Sequence, residues 1–255
     1  MTRLPPVDVH AHIAPGIDPE NLDSLHAVVF AVTRSLTESK QALDRTDPWT
    51  IWGVGCHPGL ARAQGAFVVE EFAMQLRRTP LAGEIGLDGR SRVPLENQRR
   101  TFRAALEVLS EMPRFTTIHT YFATAAALEE LEKTPTLAPV LHWWLGGLEE
   151  TKRATGLGCY FSINPSSVVR TDILSAIPPE RVFTETDHPF GDRLIRGSVP
   201  GHVEQVELEL ARHYGTTQSQ MRRQIWQNLL RVVRLTGTAR LYPRSVRALL
   251  ASVAG

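Results

Sequence analysis

Short apolar, β-branched runs recur along the chain, and segments with apolar residues at helical spacing separate them. The runs predict eight strands, at residues 7–13, 27–33, 50–56, 81–87, 114–119, 139–145, 159–163 and 182–187. Helices are expected between them at 35–46, 67–78, 94–111, 124–133 and 148–155. The first opens on a Ser/Thr/Glu cluster, the second carries Phe67, Val68, Phe72 and Leu76, and the third has proline in its first turn. Beyond the last strand, helical spacing returns at 202–213, 218–236 and 245–251. Strands alternating with helices make βαβ units and a parallel sheet. Eight such units in 255 residues predict an α/β fold, a (β/α)8 TIM barrel, with residues 1–255 as a single domain. The Pro/Gly-rich stretch 189–201 is expected as a long loop after strand eight, on the catalytic face.

A content of 42% hydrophobic and 22% charged residues excludes disorder, collagen-like sequence and a disulfide scaffold. No apolar run is long enough for a transmembrane helix, and the N-terminus lacks the apolar core of a signal peptide. Cys56 and Cys159 read as buried thiols in a reducing compartment, so a cytoplasmic protein is expected. The net charge of +1 hides an asymmetry: residues 211–255 carry eight arginines and no Asp or Glu, while residues 1–210 carry 20 basic and 27 acidic groups. The basic C-terminal helices, at about 211–255, read either as a docking surface for a polyanion or partner protein or as solvated arginine faces.

Of nine histidines, six (His10, His12, His57, His119, His142 and His188) fall at a predicted strand end or just past it. In a parallel barrel those ends converge on the face that carries chemistry. Asp8, Glu84, Glu185 and Asp187 lie on the same strands. His10 and His12 are two apart, so both imidazoles share a face and suit one divalent ion. Glu84, between Gly83 and Gly86, reads either as a carboxylate bridging two cations or as an ion pair or cap at a tight turn. His119 and His142 each end a β-like run, as ligands or as hydrogen-bonded structural histidines. Asp187 suits a metal ligand or general base, with Glu185 one layer deeper. In Gly53-Val54-Gly55-Cys56-His57-Pro58-Gly59 the glycines are expected to leave room for a substrate near His57, which would bind substrate oxygen, act as an acid or cap the turn. No G-x-S-x-G elbow, Walker loop, G-x-G-x-x-G or Cys-x-x-Cys occurs, which removes serine-hydrolase, NTPase, dinucleotide and redox-motif readings.

Together these segments resemble the TatD family of metal-dependent deoxyribonucleases, amidohydrolase-like TIM barrels. The matching pieces are Asp8-x-His10-x-His12, Gly53-x-Gly55-x-His57-Pro58, Gly83-Glu84-Ile85-Gly86-Leu87-Asp88, Ile118-His119, His142 and Glu185-Thr186-Asp187-x-Pro189, in the family's order. The stretch Leu141-His142-Trp143-Trp144 resembles divergent TatD-like members of anti-phage gene cassettes. The resemblance implies two divalent ions (Zn²⁺, Mn²⁺ or Mg²⁺): His10, His12 and Asp187 on one, His119 and His142 on the other, Glu84 bridging. It places His57 near the scissile phosphate, makes Asp187, Glu84 and His57 the catalytic residues, and implies cleavage of DNA or RNA, with 3′-5′ polarity. Three positions depart from the family. Thr120-Tyr121 stands where a small residue and Arg usually follow the fifth-strand histidine, removing a phosphate-contacting cation. Trp143-Trp144 would stack bases, narrow the pocket or pack the barrel. His188, after Asp187, is an extra ligand, an acid or a solvated loop residue. The alternatives are an amidohydrolase-type enzyme acting on a small amide, ester or modified base, and a partner-dependent subunit of a defence complex docked through its Arg-rich C-terminus.

Overall fold

The computed structural model describes residues 4–191 and 199–254. All eight expected strands form: β1 (Val7–His12), β2 (Val28–Val32), β3 (Thr50–Trp52), β4 (Leu81–Gly86), β5 (Phe115–His119), β6 (Val140–Leu141), β7 (Tyr160–Ile163) and β8 (Val182–Thr184). They run parallel and in sequence order, β1-β2-β3 in one sheet and β4-β5-β6-β7-β8 in the other. The sheets meet at both edges. At one, the Val54 N–H donates to Leu81 O at 3.1 Å and the Gly83 N–H to Val54 O at 2.9 Å. At the other, the Asp187 N–H donates to His10 O at 2.9 Å and the His12 N–H to His188 O at 2.8 Å. The architecture is that of a (β/α)8 barrel whose two seams rest on a few bonds each.

Nearly every strand residue is buried on both faces, which is why the strands read as continuous apolar runs in place of an alternating pattern. The strands are shorter than expected at their C-terminal ends. β3 stops at Trp52, β6 at Leu141 and β8 at Thr184. The residues that follow leave the extended conformation to aim side chains inward: Trp143 and Asp187 sit at φ 40° and 45°. Within β4, Glu84 at φ 56° interrupts the register with β5 between Ala82 and Ile85.

The helices are α1 (Pro19–Asp23), α2 (Leu36–Ala42), α3 (Ala61–Gly65), α4 (Val69–Leu76), α5 (Leu95–Glu111), α6 (Thr124–Lys133), α7 (Leu148–Gly156), α8 (Thr171–Leu174), α9 (Glu204–His213), α10 (Gln218–Thr236) and α11 (Arg244–Ala254). Three of them, α1, α3 and α8, were not expected; at four or five residues they are too short to display a helical period. Helix α5 shows the opposite case, burying Phe102, Ala105, Leu106 and Leu109 on one face. One apolar cluster runs from Val7 through the barrel to Val253 on α11.

Helices α10 and α11 close the N-terminal mouth of the barrel. Trp226 Nε1 donates to Pro5 O ahead of β1, and Asn228 Nδ2 to Pro179 O and Val182 O at the head of β8, all at 2.8 Å. Ser245 of α11 bonds Pro48 O ahead of β3. Helices α10 and α11, which carry six of the eight C-terminal arginines, therefore pack at the end opposite the strand C-termini. Cys56 and Cys159 are buried free thiols, each pushed up to about 12 by burial. No helix among the described residues is long and apolar enough to cross a membrane. In the expected loop at 189–201, residues 192–198 lie outside the described residues; those on either side form neither helix nor strand.

Candidate metal centre and active site

Glu84 is the hub of the C-terminal face. Its Oε2 lies 2.6 Å from His10 Nε2 and 3.3 Å from His12 Nε2. Its Oε1 lies 3.0 Å from His119 Nδ1, 3.4 Å from His57 Nε2 and 3.9 Å from His142 Nε2. The two oxygens thus divide the histidines into two groups. Asp187 Oδ1 joins the first, 3.4 Å from His12 Nε2 and 3.8 Å from His10 Nε2. In the second, His119 Nδ1 and His142 Nε2 are 3.1 Å apart, and the His142 ring stacks on His10 at 3.9 Å between centroids.

Local structure holds these groups in place. His10 Nδ1 bonds Thr117 Oγ1 at 3.0 Å, which leaves Nε2 for the centre. Gly86, at φ 135°, lets β4 approach β5, since a Cβ there would sit 2.1 Å from His119 O. Gly55 behaves differently from the expectation that it makes room for substrate. A Cβ there would meet Gly83 O and Thr33 O, each at 2.1 Å, so this glycine makes room for neighbouring backbone. Asp8 also has a structural role: fully buried, it accepts hydrogen bonds from His10 N, Thr186 N, Thr186 Oγ1 and Gly201 N, tying β1 to the chain around Asp187.

Burial alone would raise the Glu84 carboxyl, but the imidazoles of His10, His12, His142 and His57 outweigh it and hold the group well below the usual carboxylate range. Glu185 lies 3.9 Å from His142 Nδ1 through its Oε2, yet burial, then the charge of Asp187, pushes it well above its ordinary value. It accepts the Trp143 N–H at 2.7 Å, is bonded by Ser162 Oγ, and receives Asn164 Nδ2 at 3.3 Å. Burial holds His142 well below the usual imidazole value and lowers His57. His57 Nδ1 accepts the Gly59 N–H at 2.8 Å, so its neutral ring carries the proton on Nε2.

The donor set fits divalent cations. Three groups of side chains bring ligand atoms within 4.8 Å of one another: His10, His12 and Asp187; His57, Glu84 and His119; and His10, His142 and Glu185. Asp187 Oδ1, His12 Nδ1, His119 Nε2 and His142 Nδ1 are buried polar atoms with no hydrogen-bond partner among the described residues. Imidazoles and carboxylates crowded this way suit a divalent ion.

The structure brings together all six expected ligands, His10, His12, Glu84, His119, His142 and Asp187, with His57 beside them. A cavity of about 300 Å³ opens over them and Trp143 lines it. Two residues expected at the substrate do not line it. Trp144 is 1% exposed, packs on Phe161 and donates Nε1–H to Thr151 Oγ1 at 2.8 Å, because the turn at Trp143 sends its side chain into the barrel wall. His188 contributes its backbone carbonyl to His12 N, and its N–H donates to Thr186 Oγ1 at 3.2 Å. The sequence reading missed Arg34, Leu60, Leu145 and Phe190 in the wall. Arg34 lies two residues beyond β2, so the strand-end rule used for the histidines also reaches it.

Eight parallel strands whose C-terminal ends present four histidines and two carboxylates have the arrangement of a metal-dependent hydrolase on a parallel α/β barrel. The chain belongs to the TatD related DNase family, which it matches over residues 7–234. It is 29% identical over 184 residues to a Klebsiella pneumoniae protein named 3′-5′ ssDNA/RNA exonuclease TatD, covering 65% of this chain and 68% of that one. Its fold matches a TatD homologue from Escherichia coli K12 with a TM-score of 0.78 at 19% identity, over 90% of this chain and 97% of the other. A TatD family hydrolase from Entamoeba histolytica superposes with a TM-score of 0.75 at 15% identity, over 91% and 99%.

Proposed function

We propose that this protein is a metal-dependent exonuclease that removes nucleotides from the 3′ end of single-stranded DNA or RNA. The observation that carries the reading is Glu84, whose two oxygens face two separate histidine groups. His10, His12 and Asp187 would hold one ion, His119 and His142 a second, and Glu84 would bridge them; Zn²⁺, Mn²⁺ and Mg²⁺ are the candidates. Bound there, divalent ions would supply positive charge to the phosphate oxygens and acidify the attacking water.

The chain's own groups do the rest. Asp187 Oδ1, buried and without a hydrogen-bond partner, accepts the proton of the attacking water. His57 presents Nε2–H to a phosphate oxygen while Gly59 fixes its ring. Trp143, Tyr121, Leu145 and Phe190 form a wall against which the terminal base stacks. That wall would also suit a small amide or ester, but the arginine in the same cavity favours an anionic substrate. The reading as a partner-dependent subunit has less support, since helices α10 and α11, which carry most of the C-terminal arginines, pack at the end of the barrel away from this site. Buried free thiols fit a cytoplasmic setting.

The test is degradation of 3′-labelled and 5′-labelled single-stranded DNA with each ion, wild type beside Asp187→Asn. Metal-dependent loss of the 3′ label, absent in the variant, is expected. Full turnover by the variant, or no turnover of nucleic acid by wild type with any of the ions, would refute the assignment.

A further inference from the structure

Arg34 is the one permanently charged cation among the described residues that line the cavity. Its backbone is fixed: the carbonyl accepts the His57 N–H at 3.0 Å, and its N–H donates to Glu38 Oε2 at 2.8 Å. The side chain is not. It is 44% exposed, and only its Nε approaches Glu38 Oε2, at 3.7 Å. An exposed pair at that distance contributes little, so structural support does not account for the residue's position. A guanidinium offers five donors in a planar fork that matches two phosphate oxygens at once. No hydrogen bond from this one is present among the described residues, which leaves the fork available.

Depth decides which phosphate it meets. Glu84 and Asp187 are almost wholly buried, whereas Arg34 stands at the rim next to His57. A group bound at the cluster floor is under attack there; a group at Arg34 is further out along the same molecule. Nucleic acid carries a phosphate at every nucleotide, so a strand with one phosphate on the floor leads the next toward the rim. The end of β5, Thr120-Tyr121, supplies no cation for it.

We propose that Arg34 determines specificity by binding the phosphate that flanks the scissile one, which makes the substrate a strand of at least two phosphates in place of an isolated diester. This rests on the nuclease reading above. The experiment compares wild type, Arg34→Ala and Arg34→Lys on a short single-stranded oligonucleotide and on bis(4-nitrophenyl) phosphate, which has one phosphate, both with Mn²⁺. For Arg34→Ala, the ratio of kcat/KM on the oligonucleotide to that on the diester should fall about tenfold, mostly through KM, with Lys recovering part of the loss. Replacing the flanking linkage by a neutral methylphosphonate should raise the wild-type KM similarly and add nothing in Arg34→Ala. An equal loss on both substrates would mean that Arg34 acts through the His57 turn, and no change on either would mean that it only pairs with Glu38; both outcomes overturn the proposal. Wild type that cuts the diester but not the oligonucleotide would instead overturn the nuclease reading.

Discussion

Trp144→Phe removes one hydrogen bond and part of one ring from the barrel wall without touching the cavity. The Nε1–H bond to Thr151 Oγ1 is 2.8 Å long, and its loss costs about 1 kcal/mol. Thr151 keeps its own bond to Gly147 O, so no polar group is orphaned. The smaller ring leaves a void on the order of 40 Å³, which at about 24 cal/mol per Å³ costs roughly 1 kcal/mol more. The total is about 2 kcal/mol, against 3–5 kcal/mol, roughly, for Trp144→Ala. With a urea dependence of about 3 kcal/mol/M, the midpoint should fall by about 0.7 M for Phe and by more than about 1 M for Ala.

Trp143→Ala supplies the opposite case. That side chain lines the cavity, where stacking of a base is worth about 1–3 kcal/mol. Its KM on single-stranded DNA should rise about tenfold, with a smaller shift in stability than Trp144→Ala shows. Unfolding is followed by far-UV circular dichroism, because the substitutions themselves change tryptophan fluorescence. A Trp144→Phe protein with an unmoved midpoint and a raised KM would refute the assignment of the two rings.

Two further predictions concern the frame around the site. Glu130 on α6 is buried and bonded by Arg103 Nε at 2.5 Å and by Arg99, and these bonds, Arg103's first, hold its carboxyl below the ordinary value of 4.5. Folded Glu130 stays ionised where the unfolded chain takes up a proton, so its contribution is present above about pH 4.5 and lost as pH falls through the folded value. Glu130→Gln should therefore cost about 1 kcal/mol at pH 7, screened by solvent at Arg103, with the gap in urea midpoint closing toward pH 3; a gap independent of pH would contradict this. Gly55→Ala must separate Thr33 O and Gly83 O from a Cβ placed 2.1 Å from each. Overpacking of this kind costs about 1–3 kcal/mol or more, so Tm should fall by roughly 5–10 °C; an unchanged Tm would show that the glycine is not needed for strand approach.

Much of the site is legible in the amino-acid sequence alone. Strands buried on both faces leave continuous apolar runs, and a parallel barrel delivers whatever follows each run to one face. That rule places His10, His12, His57, Glu84, His119, His142 and Asp187 together, and their common cluster around Glu84 follows from it. The long helices announce themselves through their buried faces, as at Phe102, Ala105, Leu106 and Leu109. Only the tertiary structure decided which oxygen of Glu84 faces which histidines, that Trp143 enters the cavity while Trp144 enters the wall, and that Arg34 joins the site. It also made Asp8, one of the carboxylates on the histidine-bearing strands, a tie holding Thr186 and Gly201. The physical reason is common to these cases. Periodicity reports how a residue is buried relative to its own element, whereas partners such as His10 and Thr117 are 107 residues apart. And where φ turns positive, as at Glu84, Trp143 and Asp187, the alternation that a sequence reading relies on no longer says where the side chain points.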